Sequence, residues 1–245
     1  MSSDIIKELV EKTMRELSTP PSVVQRSRVW THPQGYRYLV QWSNAVLLRF
    51  LIRLLTASLP KSEYRRKAQL DDAGRSTVRN LEEGYKRSNT SAYIEFISFS
   101  QGSLEEVKGD IRELTEDGFL PSKPGSSLAG ISINLGAFNK ALAPLKSSNN
   151  PLKEIKGELR ENIKPWQKKK SPESDQLFLY HPLTVLYPPL SKVQAEDLTY
   201  EIFLELINKT DYLLRVLVQS LEKKLRENQK GYQIEQAKIK DKFRK

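Results

Sequence analysis

Read for its apolar and polar positions, the chain divides into four long helical patterns separated by stretches that carry none. The first runs from Leu39 to Leu59 and is apolar almost all round, broken only by a narrow stripe at Arg49, Arg53 and Thr56. Pro60 stops it, because proline cannot continue a helix. The second runs from Ser62 to Arg87. It places Leu70, Ala73, Thr77, Val78, Leu81, Gly84 and Tyr85 on one side and Arg75, Arg79, Glu82 and Lys86 on the other. The third starts after the cap-rich Ser88-Asn-Thr-Ser and ends near Asp117, before Gly118. Along it Ile97, Ser100, Leu104, Val107, Ile111 and Leu114 alternate steps of three and four, the seam of a left-handed helical bundle. The fourth runs from Asp197 to about Asn228 and repeats the seam with Phe203, Leu206, Thr210, Leu213, Leu217 and Leu221. These patterns predict an all-α chain folded as an antiparallel four-helix bundle.

The remaining segments set the organisation. Residues 1–38 read as a short amphipathic helix over 2–18, ended by Thr19-Pro-Pro, and an irregular arm containing Pro33 and Gly35. Residues 39–120 hold the first three bundle helices, 121–196 an insert, 197–228 the fourth helix and 229–245 a basic, helical C-terminal tail. The insert is too long for a structureless loop inside a compact domain, which predicts a subdomain or partner-binding element. Its last part, LFLYHPLTVLYPPL (177–190), is apolar and punctuated by prolines, the pattern of an extended strap over the bundle. Gly102 and Gly109 lie seven apart in the third helix, where each costs about 1 kcal/mol against alanine. Their spacing predicts a close approach by a neighbouring helix. The nearly all-apolar first helix needs cover on more than one side, and homo-oligomerisation is the simplest source of a second covering surface.

Composition narrows the function. The chain has 245 residues, 38 % apolar and 29 % charged, enough for one compact domain with extensions, or two at most. The absence of cysteine excludes disulfides and thiolate metal sites. Arg49 and Arg53 interrupt the most apolar run, and a membrane span tolerates such charges badly. The first residues mix acids into the pattern and lack the apolar stretch of a secretory leader. A cytoplasmic protein without a membrane anchor is expected. The net charge of +10 is unevenly placed: residues 42–87 carry ten basic and five acidic side chains, residues 88–120 two basic and seven acidic. A basic pair of helices followed by an acidic one favours an anionic partner, either nucleic acid or acidic protein.

Catalytic chemistry has little to stand on. The two histidines, His32 and His181, each precede a proline and share no ligand spacing with carboxylates. No nucleophile elbow, phosphate-cradling glycine loop or dinucleotide fingerprint occurs. Glu82 and Glu83 diverge by about 100° on a helix and cannot converge on one substrate. The expectation is a non-enzymatic protein with no cofactor and no metal. The candidate phosphate-binding residues are Arg65, Arg66, Lys67, Arg75, Arg79, Lys86 and Arg87 on the second helix, with Lys168, Lys169 and Lys170 in the insert. Glu82–Lys86 and Glu83–Arg87 have the spacing of helical ion pairs, which leaves Arg75 and Arg79 as the cations most open to an outside anion. In the arm, Arg26, Arg28, Trp30, Tyr36, Arg37 and Tyr38 interleave cations with rings. They can stack bases or pin the arm to the core.

The stretch DDAGRSTVRNLEEGYKRSNTSAYIEFISFSQGSLEEV (71–107) resembles a bacterial four-helix-bundle family. That family comprises the 23S rRNA intervening-sequence proteins and the accessory variability proteins of diversity-generating retroelements. The similarity is carried by Arg75, Ser76, Asn80, Glu83, Gly84, Phe96, Gly102, Ser103, Leu104 and Glu106. The His-Pro-x-Gly-Tyr arm (32–36), the long insert and the final helical segment (199–224 with the tail) resemble a longer subgroup with a C-terminal suffix. The resemblance implies a basic homo-oligomer, commonly a pentamer, without catalytic activity. For retroelement members it also implies binding to a reverse transcriptase and to RNA or DNA. The alternative expectation is a protein-interaction scaffold whose basic and acidic helices complement each other between subunits and whose insert docks a protein.

Overall fold

The computed structural model describes residues 34–142 and 183–242. The expected helix over 2–18, Arg26, Arg28, Trp30, both histidines, Lys168, Lys169 and Lys170 lie outside the described residues. Every regular element within them is helical. A 3-10 turn, Gly35–Tyr38, leads into α1 (Val40–Ser58). After Pro60, α2 spans Tyr64–Tyr85 and α3 spans Thr90–Glu116. The short α4 (Leu135–Ala141) and two 3-10 turns, Pro188–Lys192 and Ala195–Asp197, precede α5 (Tyr200–Lys242). None of these helices is long and apolar enough to cross a membrane.

The helix ends follow local chemistry. Leu59 is held extended before Pro60, whose ring disfavours the helical region for its predecessor. Asn89 caps α3, its side-chain oxygen accepting from the Ala92 amide at 2.6 Å. At the other end Gly118 takes φ +79°, which turns the amides of Phe119 and Leu120 back to the Leu114 carbonyl at 2.8 and 3.0 Å.

The long helices pack in sequence order, α1 on α2, α2 on α3 and α3 on α5, and α5 returns to α1. Early residues of one helix meet late residues of the next. Trp42 and Arg53 of α1 reach Glu82 and Asp71 of α2. Gln69 and the Thr77 carbonyl of α2 bond Asp110 and Ser100 of α3. Between them lies one core in which Leu47, Leu48, Leu51 and Ile52, with Leu70, Leu81, Ile97, Leu104, Ile111, Phe203 and Leu206, are fully buried. The predicted seam of α3 is buried throughout. On α5 full burial ends at Leu214, while Leu217 and Leu221 are half-buried and the helix continues beyond the expected end near Asn228.

Three expectations are corrected. Gly102 and Gly109 have open space where a β-carbon would project, so among the described residues no helix approaches them. The close approaches occur at Gly35, Gly74 and Gly84, where an added β-carbon would meet Tyr85, Ile52 and Phe96 within 3 Å. The predicted extended strap is a run of short helical turns in its described part. Leu183, Tyr187 and Leu190 are buried there, and Tyr187 stacks edge-on against Phe138 of α4 with ring centroids 5.5 Å apart. Finally, α1 finds its second covering surface inside its own chain. α4 and the turn Ala195–Asp197 contact it, and Phe138 and Leu142 are completely buried in the shared core. The apolar surround of α1 therefore does not by itself require a second subunit.

The insert is fastened to α5 through the carboxylates of that helix's first turns. Glu201 accepts from Ser122 Oγ at 2.5 Å and from the Lys123 amide at 2.9 Å, and Glu205 accepts from the Leu128 amide at 2.7 Å. Burial opposes ionisation of Glu201, but these donors outweigh it and hold its pKa down to about 2.

Candidate nucleic-acid interface

The basic residues of α2 separate into two groups at opposite ends of the helix. At its start, Arg66 forms ion pairs with Glu63 at 3.4 Å and with Asp117 at 2.5 Å, and lies over the Phe119 ring. It closes α2 onto the end of α3 and is committed to the fold. Arg65 is exposed and turns onto Tyr64, donating its Nε to the phenol oxygen at 3.1 Å. Lys67 is half-buried with no ion pair among the described residues.

At the other end, the glutamate pairing differs from the predicted scheme. Glu82 accepts from the Trp42 indole at 3.1 Å and from Arg79 at 3.2 Å. Lys86 instead sits 5.9 Å from the centre of the Tyr36 ring, and Arg87 stacks 4.3 Å above Phe96. Aromatic geometry explains the change. Tyr36, Trp42, Tyr85 and Tyr93 form a chain of edge-on contacts with centroids 5.6 to 6.2 Å apart. Lys86 lies against Tyr36 of this cluster and Arg87 against the neighbouring Phe96, both in cation–π range. Tyr36 is buried in this cluster, and burial followed by the nearby Glu82 charge raises its pKa. The arm's Gly35-Tyr36 thus pins to the core, while Tyr38 is left exposed.

Arg79 is half-committed to Glu82 yet remains 60 % exposed, and Arg75, one turn earlier on the same face, is exposed with no ion pair among the described residues. These two cations, with Arg65 at the helix start, form the outward basic face of α2. The acids gather elsewhere. Glu105, Glu106, Glu113 and Glu116 are exposed on α3, and Asp110 is partly buried beside Gln69, which donates to it at 2.8 Å. Burial, then Glu113 and Glu106, raise the Asp110 pKa to about 6. The polar stripe of α1 is satisfied internally, with Arg53 and Thr56 both donating to Asp71. Among the described residues no three His, Cys, Asp or Glu side chains gather where they could hold a metal ion.

Sequence reasoning missed one feature, a groove between α1, α4 and α5 lined by Val40, Asn44, Asn139, Lys140 and Tyr212. Its only sequence signal is Asn44, a lone amide within the apolar run that forms α1.

Residues 37–137 match the family model described as 23S rRNA-intervening sequence protein. The match takes in α1, α2, α3 and the start of α4 and leaves out α5. It supports the resemblance of residues 71–107 to the 23S rRNA intervening-sequence proteins. No curated protein and no solved structure matches the chain.

Proposed function

We propose that the protein is a non-enzymatic, homo-oligomeric nucleic-acid-binding adaptor whose α1, α2, α3 and α5 make an antiparallel four-helix bundle. The observation that carries this reading is the outward face of α2, where Arg75 has no ion pair among the described residues and Arg79 is largely exposed. Cations one turn apart on a rigid helix can follow a phosphate backbone without reading its sequence. The similarity of residues 37–137 to the 23S rRNA-intervening sequence protein family gives the same direction. A pentamer is the favoured assembly. An accessory role beside a reverse transcriptase in a retroelement follows from the subgroup resemblance of the arm, insert and last helix.

The test is fluorescence anisotropy with labelled RNA and DNA across a salt series, with particle mass read by light scattering. Affinity should fall steeply with salt, and Arg75→Glu with Arg79→Glu should abolish binding without changing the helical signal. A protein that ignores nucleic acid at low salt, or a doubly reversed variant that binds unchanged, overturns the reading.

The acidic exposed face of α3 favours a second reading, a scaffold in which α3 of one copy meets the basic face of α2 in another. Particle mass that falls with salt, in a protein giving no nucleic-acid signal, would select it.

A further inference from the structure

A groove of about 640 Å³ opens between the start of α1, the short α4 and the first third of α5. Val40, Leu135 and Leu213 supply apolar wall, and the Tyr212 ring is 66 % exposed beside them. Asn44 belongs to the same lining and is 1 % exposed, yet neither its amide nitrogen nor its amide oxygen has a hydrogen-bond partner. Two neighbouring amides are in use, and that of Asn208, also in the lining, is exposed to solvent. Gln41 donates to the Leu213 carbonyl at 3.0 Å, and Asn139 donates to Ser43 Oγ at 2.9 Å. A buried amide with both functions unmatched is costly, so the position calls for a complementary group. Lys140 is exposed at the groove with no anionic partner among the described residues, while Lys209 is held by Glu205.

We propose that this groove binds an unpaired nucleobase of a single-stranded nucleic acid. A base is flat enough to stack on Tyr212 and apolar enough for the remaining wall. Its edge presents the donor and acceptor that an asparagine amide matches, as asparagine does with adenine. The phosphate attached to that base suits the charge of Lys140. A duplex offers neither feature, because its base faces are stacked and its pairing edges engaged. An apolar side chain from a second copy would fill the wall and leave the Asn44 amide unmatched. The proposal rests on the nucleic-acid reading above and adds to it a base-binding site apart from the basic face of α2.

The experiment uses the full chain and a labelled 12-nucleotide oligoadenylate, with a duplex of equal length as the comparison. The single strand is expected to bind more tightly. Tyr212→Ala should weaken single-strand binding by about tenfold through lost stacking and leave duplex binding unchanged. Lys140→Glu should weaken single-strand binding as well. Both side chains are exposed, so circular dichroism should stay unchanged. Single-strand affinity unaltered by both variants, with Arg75→Glu and Arg79→Glu still destroying binding, overturns the groove and spares the adaptor reading. Equal affinity for the duplex, with Tyr212→Ala weakening both ligands alike, also overturns the groove. No binding of either ligand by the unaltered protein overturns both.

Discussion

Gly84 of α2 lies so close to Phe96 of α3 that a β-carbon placed on it would stand 2.6 Å from the Phe96 β-carbon. The contact lies at the base of an aromatic side chain, which cannot swing away without moving its helix. Gly84 therefore sets the spacing at which α2 and α3 cross. It also lies next to Tyr85, whose ring closes the cluster at that end of the molecule.

Gly84→Ala should destabilise the protein. Overpacking costs about 1–3 kcal/mol, against about 1 kcal/mol that alanine returns in helix propensity. Gly102→Ala should do the reverse, because its β-carbon would point into open space, raising stability by about 0.5–1 kcal/mol. Urea unfolding of both variants checks the pair, and a loss at Gly102 would mean that something outside the described residues occupies that face.

Asp110 and Glu201 should give stability opposite dependences on pH. The folded pKa of Asp110 is raised from 3.8 to about 6, so the native state binds more protons there than the unfolded chain. Its contribution is lost as pH rises through that window. Glu201 is held down to about 2, so the stability it adds is present above its unfolded pKa and disappears as pH falls towards that value. Maximum stability should lie on the acidic side of neutrality. Asp110→Asn keeps an acceptor for Gln69 and should stabilise at pH 7 by on the order of 1 kcal/mol, allowing for solvent screening. Thermal melts from pH 3 to 8 would show it, and an unchanged profile in the variant would remove Asp110 as the cause.

Phe138 tests the insert's part in the fold. It is fully buried and stacks on Tyr187, whose hydroxyl accepts from the Asn134 amide at 2.9 Å. Phe138→Ala should cost about 3–5 kcal/mol. Unfolding should remain a single transition, since α4 shares its core with α1. A separate early transition would mean that the insert folds as an independent unit.

Much of this was legible in the residue pattern. The α3 seam and the buried stripe of α2 follow from steps of three and four, because a helix exposes one face per such step whatever it later packs against. Asn89, Pro60 and Gly118 marked helix ends because capping depends on a few adjacent residues. The same locality explains what failed. Glu82 had a correctly spaced lysine on its own helix, yet Arg79 and Trp42 of α1 took it, and Lys86 turned to the Tyr36 ring. Spacing along one helix cannot choose between Arg79 and Lys86 as the partner of Glu82, nor report the Trp42 donor arriving from another helix.

The sequence by itself determined where the long helices lie, which side of each is apolar, and that basic charge concentrates on α2 while acid concentrates on α3. Only the tertiary structure decided which glycines stand at close approaches, which cations stay outward, and that α4 and the turn Ala195–Asp197 cover α1. It alone brought Asn44, Lys140 and Tyr212 to one groove, from positions far apart in the chain. The physical reason is range. Helix formation and capping depend on residues within one or two turns, whereas burial, ion-pair choice and groove formation depend on which distant surface arrives.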